Sequence, residues 1–414
     1  MNKYFDIKDK VFDITEKYPE TIDIFAANGF EQLKNESMRK IMGKTISLEM
    51  VCLTKKVNLE LFEQKLVEAI EQNRISVDES LTNPKKHEGG DIRIDGVLPC
   101  PVRIPLLEGF NKWMDENKDN FDFTVDYELK SANIGVDWIR EKIEKDGEDS
   151  LSDLFMSAGF DLFFDKKLMG KYKAKGVFED ISGLDRLNKD FDNEEIDLKD
   201  PKKQYSLICV VPAVFLVNTE ELDGREMPKT WADLVKPEFE NSISLPLNDF
   251  DLFNALLLNI YKDFGEEGIR KLGKSLLRSM SPAEMVKSNI KIKGSGIPTV
   301  TVMPYMFTQM VRDDSPLKPI WPEDGAIISP VFLLAKKESK ERTKPFVDFF
   351  MSKEVGELLS KNGKFPSTHP EVDNGLGDRK FKWLGWDFIN DHDDIGSLIK
   401  ECMELFHKAK QEEI

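Results

Sequence analysis

The sequence predicts an α/β body behind a small all-α head. Three observations lead there. From residue 91 onward, strand-like and helix-like apolar periods alternate, the pattern of parallel strands with helices on both faces. Before residue 75 the apolar residues recur at helical spacing. Between the two lies SVDESLTNPKKHEGGD, which is polar, holds Pro84 and the pair Gly89-Gly90, and reads as a linker over residues 76–90.

Within the head, residues 1–75, Val11, Ile14 and Tyr18 mark a first helix that Pro19 interrupts. Ile22, Phe25 and Ala26 mark a second short one that Gly29 can stop. Ser47 to Met50 opens a segment with Val51 and Leu53, and a last helix carries Leu59, Leu61, Phe62, Leu66, Ala69 and Ile70. In the body, strands are expected over 91–96, 121–129, 154–157, 208–217, 243–245, 298–302 and 326–335. Helices are expected over 106–114, 138–145, 250–264, from Tyr305, and over 345–360, with a charged helix in the tail. Pro212 inside the 208–217 strand predicts an irregular crossing between two layers.

A length of 414 residues exceeds one ordinary core, so two or three domains are expected. Lys and Arg number 59 against 76 Asp and Glu, net −17; residues 1–90 carry −2 of this and the remainder −15. A field of that sign repels phosphate backbones and argues against nucleic acid as the main partner. No stretch reaches 18 apolar residues, so no membrane insertion is expected. The charged start MNKYFDIKDKVFDI has no apolar h-region, and the expected location is cytoplasmic. Cys52, Cys100, Cys209 and Cys402 are isolated, and His87, His369, His392 and His407 show no H-x-x-x-H spacing. Neither a disulfide framework nor a zinc site is expected, and no cofactor is called for.

The head, FDITEKYPETIDIFAANGF followed by MRKIMGKTISLEMVCLTKKVNLELFEQKLVEAI, resembles the DUF1858 helical domain. The stretch GFEQLKNESM carries no cysteine where those domains often do, so the head reads as a docking or small-ligand module. The body resembles the extracellular solute-binding proteins of the iron and thiamine branch, the receptors of ABC importers. VPAVFLVNTEEL is similar to their hinge strand, MPKTWADLVKPEFENSISLPLND to the helix and strand that follow, and NIKIKGSGIPTVTVMPYMF with WPEDGAIISPVFLLAK to the second half of that lobe and the return strand. KPFVDFFMSKEVGELLSKNGKFPSTHPEV looks like the helix and loop that close the first lobe. The resemblance spans residues 91–375. It implies a two-lobed, type II periplasmic-binding-protein-like body, with residues 91–207 and 327–414 as first lobe and 208–326 as second.

In that fold the ligand sits between the lobes, at strand C-termini and helix N-termini, where free N–H groups favour anions. Four places then reach the cleft. In LPCPVR, Cys100 and Arg103 follow the first body strand; Cys100 reads equally as a buried filler and Arg103 as a surface charge. In SAGFD, Ser157, Ala158, Gly159 and Asp161 form a small-residue turn that lets a ligand approach the backbone. In PLNDFD, Asn248 and Asp249 reach the cleft or simply cap the next helix. In MPYM, Tyr305 stands where the iron branch has a tyrosine pair, but Met306 replaces the second, which disfavours ferric ligation. Trp321 and Glu323 flank the return strand, where turn chemistry also explains them. Pro212 is placed at the hinge, with closure about 210–212 and 327–330.

These residues point to a small-molecule ligand, anionic by preference, with a metal or metal complex as second choice. The expected function is solute binding with hinge closure and no catalysis. The alternatives are a cytoplasmic sensor that signals through a protein partner on residues 1–75, and an enzyme with Cys100 as nucleophile.

Overall fold

The structure, a computed structural model, describes residues 4–19, 21–22, 25, 30–55, 59, 62–63, 66–67, 70, 90–98, 100–131, 137–247, 249–280, 285, 296–311, 314–361, 364–392 and 394–411. The chain forms two compact units, residues 1–88 and 89–414. The expected linker falls outside the described residues except for Gly90, as do much of the second and last head helices.

The first unit contains α1 (Val11–Lys17), a 3₁₀ turn at Glu31–Lys34, a helical turn at Glu36–Met38 continued by a π-turn at Arg39–Gly43, and α2 (Leu48–Lys55). An antiparallel bridge between Lys10 and Ser47 fixes the starts of α1 and α2 together. Its core gathers Val11, Ile14, Tyr18, Phe25, Phe30, Leu48, Val51, Phe62, Leu66 and Ile70. Phe25 meets Phe62 edge-on at 5.1 Å, an arrangement that matches the positive ring edge to the negative face.

The second unit begins with β1 (Ile92–Leu98), α3 (Cys100–Asn117), β2 (Val125–Ser131), α4 (Asp137–Asp146), β3 (Leu154–Ser157), α5 (Phe160–Phe164), α6 (Gly170–Lys175) and β4 (Phe178–Glu179). β5 (Ser206–Asn218) leads to α7 (Trp231–Leu234), β6 (Ile243–Leu245), α8 (Phe250–Ser275), β7 (Leu276–Ser279), β8 (Val300–Pro304) and β9 (Leu317–Ile320). β10 (Ala326–Lys336) returns to α9 (Lys340–Phe350), α10 (Lys353–Ser360), β11 (Phe381–Lys382), α11 (Trp386–Asp391) and α12 (Ile395–Gln411).

Among the described residues, eleven strands share one sheet, ordered β2-β1-β3-β10-β5-β8-β6-β7; β4 and β11 also pair with β10, and β9 with β5. β1 is parallel to β2 and β3, and β6 is parallel to β7 and β8. The two lobes follow from the register of the central pair. β3 pairs with the end of β10, Leu333 opposite Met156, whereas β8 pairs with the end of β5, Phe215 opposite Val302. The middles of β5 and β10 pair only with each other and with the segment at Ser367. Every residue of β5 and β10 is buried, which explains their near-continuous apolar reading. Pro212 lies opposite Ile328, and Pro330 opposite Val210. Each proline removes a ladder donor where the strands pass between lobes, so the crossing is the weakest part of the pairing.

Trp231 anchors the second lobe. It is fully buried, donates Nε1–H to the Gly325 carbonyl at 2.8 Å and meets Phe215 edge-on at 4.7 Å. Thr230 and Asp233 form the capping box that starts α7. The tail, expected with the first lobe, divides: Trp383 meets Phe160 and Trp386 meets Phe164 and Tyr205, all of the first lobe, whereas its last helix reaches both lobes. α12 packs chiefly along α8 of the second lobe and also against α5 of the first. Phe406 stacks edge-on against Phe253 at 5.3 Å, while Lys400 pairs with Asp165 at 3.0 Å. Among the described residues no helix is long and apolar enough to cross a membrane.

Candidate functional site

The C-terminal ends of β1 and β3 lie in the first lobe, and those of β6 and β8 in the second. α5 starts directly after β3 and α8 shortly after β6, so two helix N-termini stand at the interlobe region. Each opens on acidic residues: Asp161 in the first turn of α5, Asp249 as the N-cap of α8 and Asp251 in its first turn. Free N–H groups and the helix dipole favour carboxylates at these positions. Asp249 accepts the Leu252 N–H at 3.3 Å.

The two lobes bring these carboxylates together at Gly159. A Cβ on Gly159 would stand 3.1 Å from Asp161 Oδ1 and 3.1 Å from Asp251 Oδ1, so the two oxygens are at most twice that distance apart. The φ of Gly159 is −83°, open to any residue, so the lack of a side chain is what the position requires. Its N–H points to Ser157 Oγ at 3.3 Å, and Ser329 of β10 donates to the Ala158 carbonyl at 3.1 Å. These bonds hold the 157–159 turn against the crossing strand.

The electrostatics are set by burial and mutual repulsion, which together outweigh the dipole. Burial raises Asp249 to about 6. Asp251 is pushed well up by burial, with the charges of Asp249 and Asp161 adding. Burial also raises Asp161; Leu162 N–H and the Arg140 guanidinium oppose this, and Asp165 reinforces it. As whole residues all three are part-buried. Asp161 and Asp251, converging at Gly159 with raised pKa values, are unfavourable as anions until a cation joins them. Among the described residues no group of three or more His, Cys, Asp or Glu side chains is placed to hold a metal ion.

The remaining residues expected at the cleft divide. Ser157, Ala158, Gly159, Asp161 and Asp249 converge at this region. Pro212 is buried in the crossing. Cys100 opens α3, but its side chain is outside the described residues, as is Asn248 altogether. Arg103 is not the surface charge of the alternative reading: it is 1% exposed, and its Nε donates to the Leu129 carbonyl, which fastens α3 to β2. Tyr305 follows β8, but its hydroxyl accepts from Arg379 Nη1 at 2.8 Å. The Arg379 guanidinium lies over the Tyr305 and Trp321 rings at 5.2 and 5.1 Å, so these two aromatics already hold a cation from the chain itself. Trp321 also donates to the Lys380 carbonyl at 2.6 Å. Glu323 is an exposed turn residue paired with Lys229 at 3.4 Å. Asp251 is the residue sequence reasoning missed. Its only local signal was the alternate-residue spacing with Asp249, which also serves a helix start.

The sequence profile of one family, described as bacterial extracellular solute-binding protein, matches residues 149–392, more than half of the chain. The chain belongs to the bacterial extracellular solute-binding proteins. A domain of unknown function, DUF1858, matches residues 5–62. The spermidine/putrescine-binding periplasmic protein 1 of Haemophilus influenzae is 22% identical over 275 residues, 61% of this chain and 76% of that protein. The spermidine/putrescine-binding periplasmic protein of Salmonella typhimurium is 25% identical over 199 residues, 42% of this chain and 55% of that protein. Among solved structures, the ferric binding protein from Campylobacter jejuni aligns with a TM-score of 0.53 at 16% identity, covering 77% of this chain and 99% of its own. An ABC transporter structure from Clostridium perfringens aligns with a TM-score of 0.52 at 16% identity, covering 77% and 99%. At such identities the structures establish the two-lobed fold alone. On its family membership this solute-binding protein is not an enzyme, and the reading of Cys100 as a nucleophile is set aside.

Proposed function

We propose that this solute-binding protein captures a small organic amine carrying two or more positive charges, of the diamine or polyamine class, between its lobes. Delivery to an ABC-type importer would then follow closure. The approach of Asp161 and Asp251 to the one point beside Gly159 carries the reading. It joins a carboxylate from each lobe, so a cation there rewards closure directly. Ammonium groups are donors only and suit carboxylates, which are acceptors only. Names of the relatives from Haemophilus and Salmonella support the same class. The preference for an anion, drawn from helix N-termini alone, is replaced here because those N-termini already carry their own carboxylates.

Calorimetric titration of the full chain with putrescine and spermidine tests this, with matched Asp161→Asn and Asp251→Asn variants. Saturable amine binding is expected, weakened about 10- to 100-fold by either substitution, the range for a charge-assisted hydrogen bond. Undetectable amine binding, or binding that both variants retain, would overturn the reading.

A further inference from the structure

A row of polar side chains in the second lobe plays no part in the carboxylate site. Register places Arg278 of β7 opposite Ser244 of β6, Ser244 opposite Thr301 of β8, and Thr301 opposite Leu216 of β5. Directly paired residues project to the same face of a sheet. Arg278, Ser244 and Thr301 therefore share one face, the face of Leu216. Leu216 packs with Met280, Met285, Met303 and Leu317 in a cluster separate from the main core.

Ser244 and Thr301 are fully buried, and neither hydroxyl has a hydrogen-bond partner among the described residues. The same holds for Nε and Nη2 of Arg278, two buried groups of a guanidinium that stays charged. As a residue Arg278 is only part-buried, and β7 ends the order of the sheet, so the row meets solvent at its arginine end.

Buried polar groups without partners are costly, and more so where they belong to a charged group, as Nε and Nη2 of the part-buried Arg278 do. Arg278 Nε–H and Nη2–H can only donate, and the Ser244 and Thr301 hydroxyls, which donate or accept, stand in the same row without partners among the described residues. A water molecule would serve the hydroxyls and leave the charge uncompensated. An oxyanion answers both, since it is an acceptor with the opposite sign. Neighbouring strands stand about 4.8 Å apart, so the row spans roughly 10 Å from Arg278 to Thr301 with Ser244 between. We propose that Arg278, Ser244 and Thr301 form a binding site for a small oxyanion: phosphate, sulfate or the carboxylate group of a small acid. None of the three belongs to the carboxylate site, so the inference does not rest on the amine reading.

The test is a thermal-shift and calorimetric titration of the full chain with sodium phosphate, sodium sulfate and sodium acetate at constant ionic strength, with chloride as control. The expected result is a saturable rise in Tm with at least one oxyanion and none with chloride. Arg278→Gln should abolish it, and Thr301→Val should weaken the affinity at least 5-fold. Thr301→Val keeps the test open if the arginine variant fails to fold. Removing an unpartnered hydroxyl should stabilise the anion-free protein, so this variant should start from a higher Tm and gain less from the anion. Putrescine affinity, measured on the same variant, should be unchanged, which separates failure here from failure of the amine reading. No saturable response to any of the three oxyanions, or a response that Arg278→Gln and Thr301→Val both keep in full, would overturn the site.

Discussion

Asp161 Oδ1 and Asp251 Oδ1 each lie 3.1 Å from the position a Cβ on Gly159 would take. One carboxylate precedes the central strand β5 in the chain and the other follows it, so this approach exists only through the pairing of the lobes. Repulsion between the two opposes closure when both are ionised, and a bound cation reverses its sign.

Stability should therefore fall with rising pH in the amine-free protein. Asp249 is raised to about 6, and Asp161 and Asp251 are raised as well, chiefly by burial. A carboxyl whose folded pKa exceeds its unfolded value, near 4, favours the fold while protonated. That contribution is complete below about pH 4 and is lost as pH climbs through about 6. Scanning Tm from pH 4.5 to 8 should show this decline; hydrogen-bonded Asp233, held low at about 2, titrates below the window and adds no slope there. Asp249→Asn keeps a capping side chain, so it should flatten the decline and raise Tm at pH 7 by about 2–4 °C, the equivalent of ~1 kcal/mol. A Tm that rises across the window, equally in both proteins, would contradict the raised carboxylates.

Gly159→Ala should separate binding from folding. Its backbone conformation is ordinary, so alanine adds no φ strain. The new methyl would crowd both carboxylate oxygens and approach Leu162 Cβ to 3.5 Å. The carboxylates can swing aside, because the crowded atoms are side-chain ends. Destabilisation should stay near ~1 kcal/mol, while putrescine affinity drops about 10-fold or more through the displaced acceptors. Circular dichroism and calorimetry on the same sample read the two effects; unchanged affinity would place the ligand elsewhere.

Much of the frame was legible because burial writes itself as composition. β5 and β10 were expected over 208–217 and 326–335, and each extends these limits by two residues or fewer, since both are buried along their whole length. β6 matches Ile243–Leu245. The expected helix over 345–360 is instead two, α9 and α10, because Ser352 accepts the Val355 N–H and caps a new start. β4, β7, β9 and β11 are short and only partly buried, so no apolar run marks them, whereas the equally short β3 and β6 are buried throughout. The site was half legible for a related reason. Small residues after a buried strand mark the 157–159 turn, but the proximity of Asp251 to Gly159 and of Arg379 to Tyr305 arises only from tertiary packing.

The thiols offer a check on burial in both units. Burial pushes Cys52 up to about 11 and Cys402 up to about 12, and raises Cys209 further. Only the thiolate attacks an aromatic disulfide reagent. At pH 7.5 these three should remain unreacted over minutes in the native protein, and all four cysteines should react in denaturant. The Cys100→Ser variant should then show no fast-reacting thiol before unfolding. A fast thiol in that variant would show that at least one of the three is accessible.

The two contacts of α12 differ enough in strength to say which one yields when the lobes open. On the α8 side, Phe406 is fully buried against Phe253, and Gly273 admits the helix backbone at Phe406 so closely that no side chain would fit there. On the α5 side, Gly396 likewise admits Asp165 too closely for a side chain, and the half-exposed Lys400 joins the buried Asp165 carboxylate across 3.0 Å. Truncating a buried aromatic costs about 3–5 kcal/mol, whereas an ion pair with one exposed partner is screened and contributes nearer ~1 kcal/mol. Asp165 also retains the Lys167 N–H at 2.7 Å, so loss of Lys400 does not leave it bare. α12 should therefore travel with α8, and the Lys400–Asp165 contact should break on opening. Phe406→Ala should lower global stability by about 3–5 kcal/mol in denaturant titration. Lys400→Met should change it by no more than about 1 kcal/mol, yet accelerate amine release in stopped-flow displacement, because it weakens a contact made only when the lobes are together. The reverse pattern, a large stability loss in Lys400→Met with unaltered release, would place α12 with the first lobe instead.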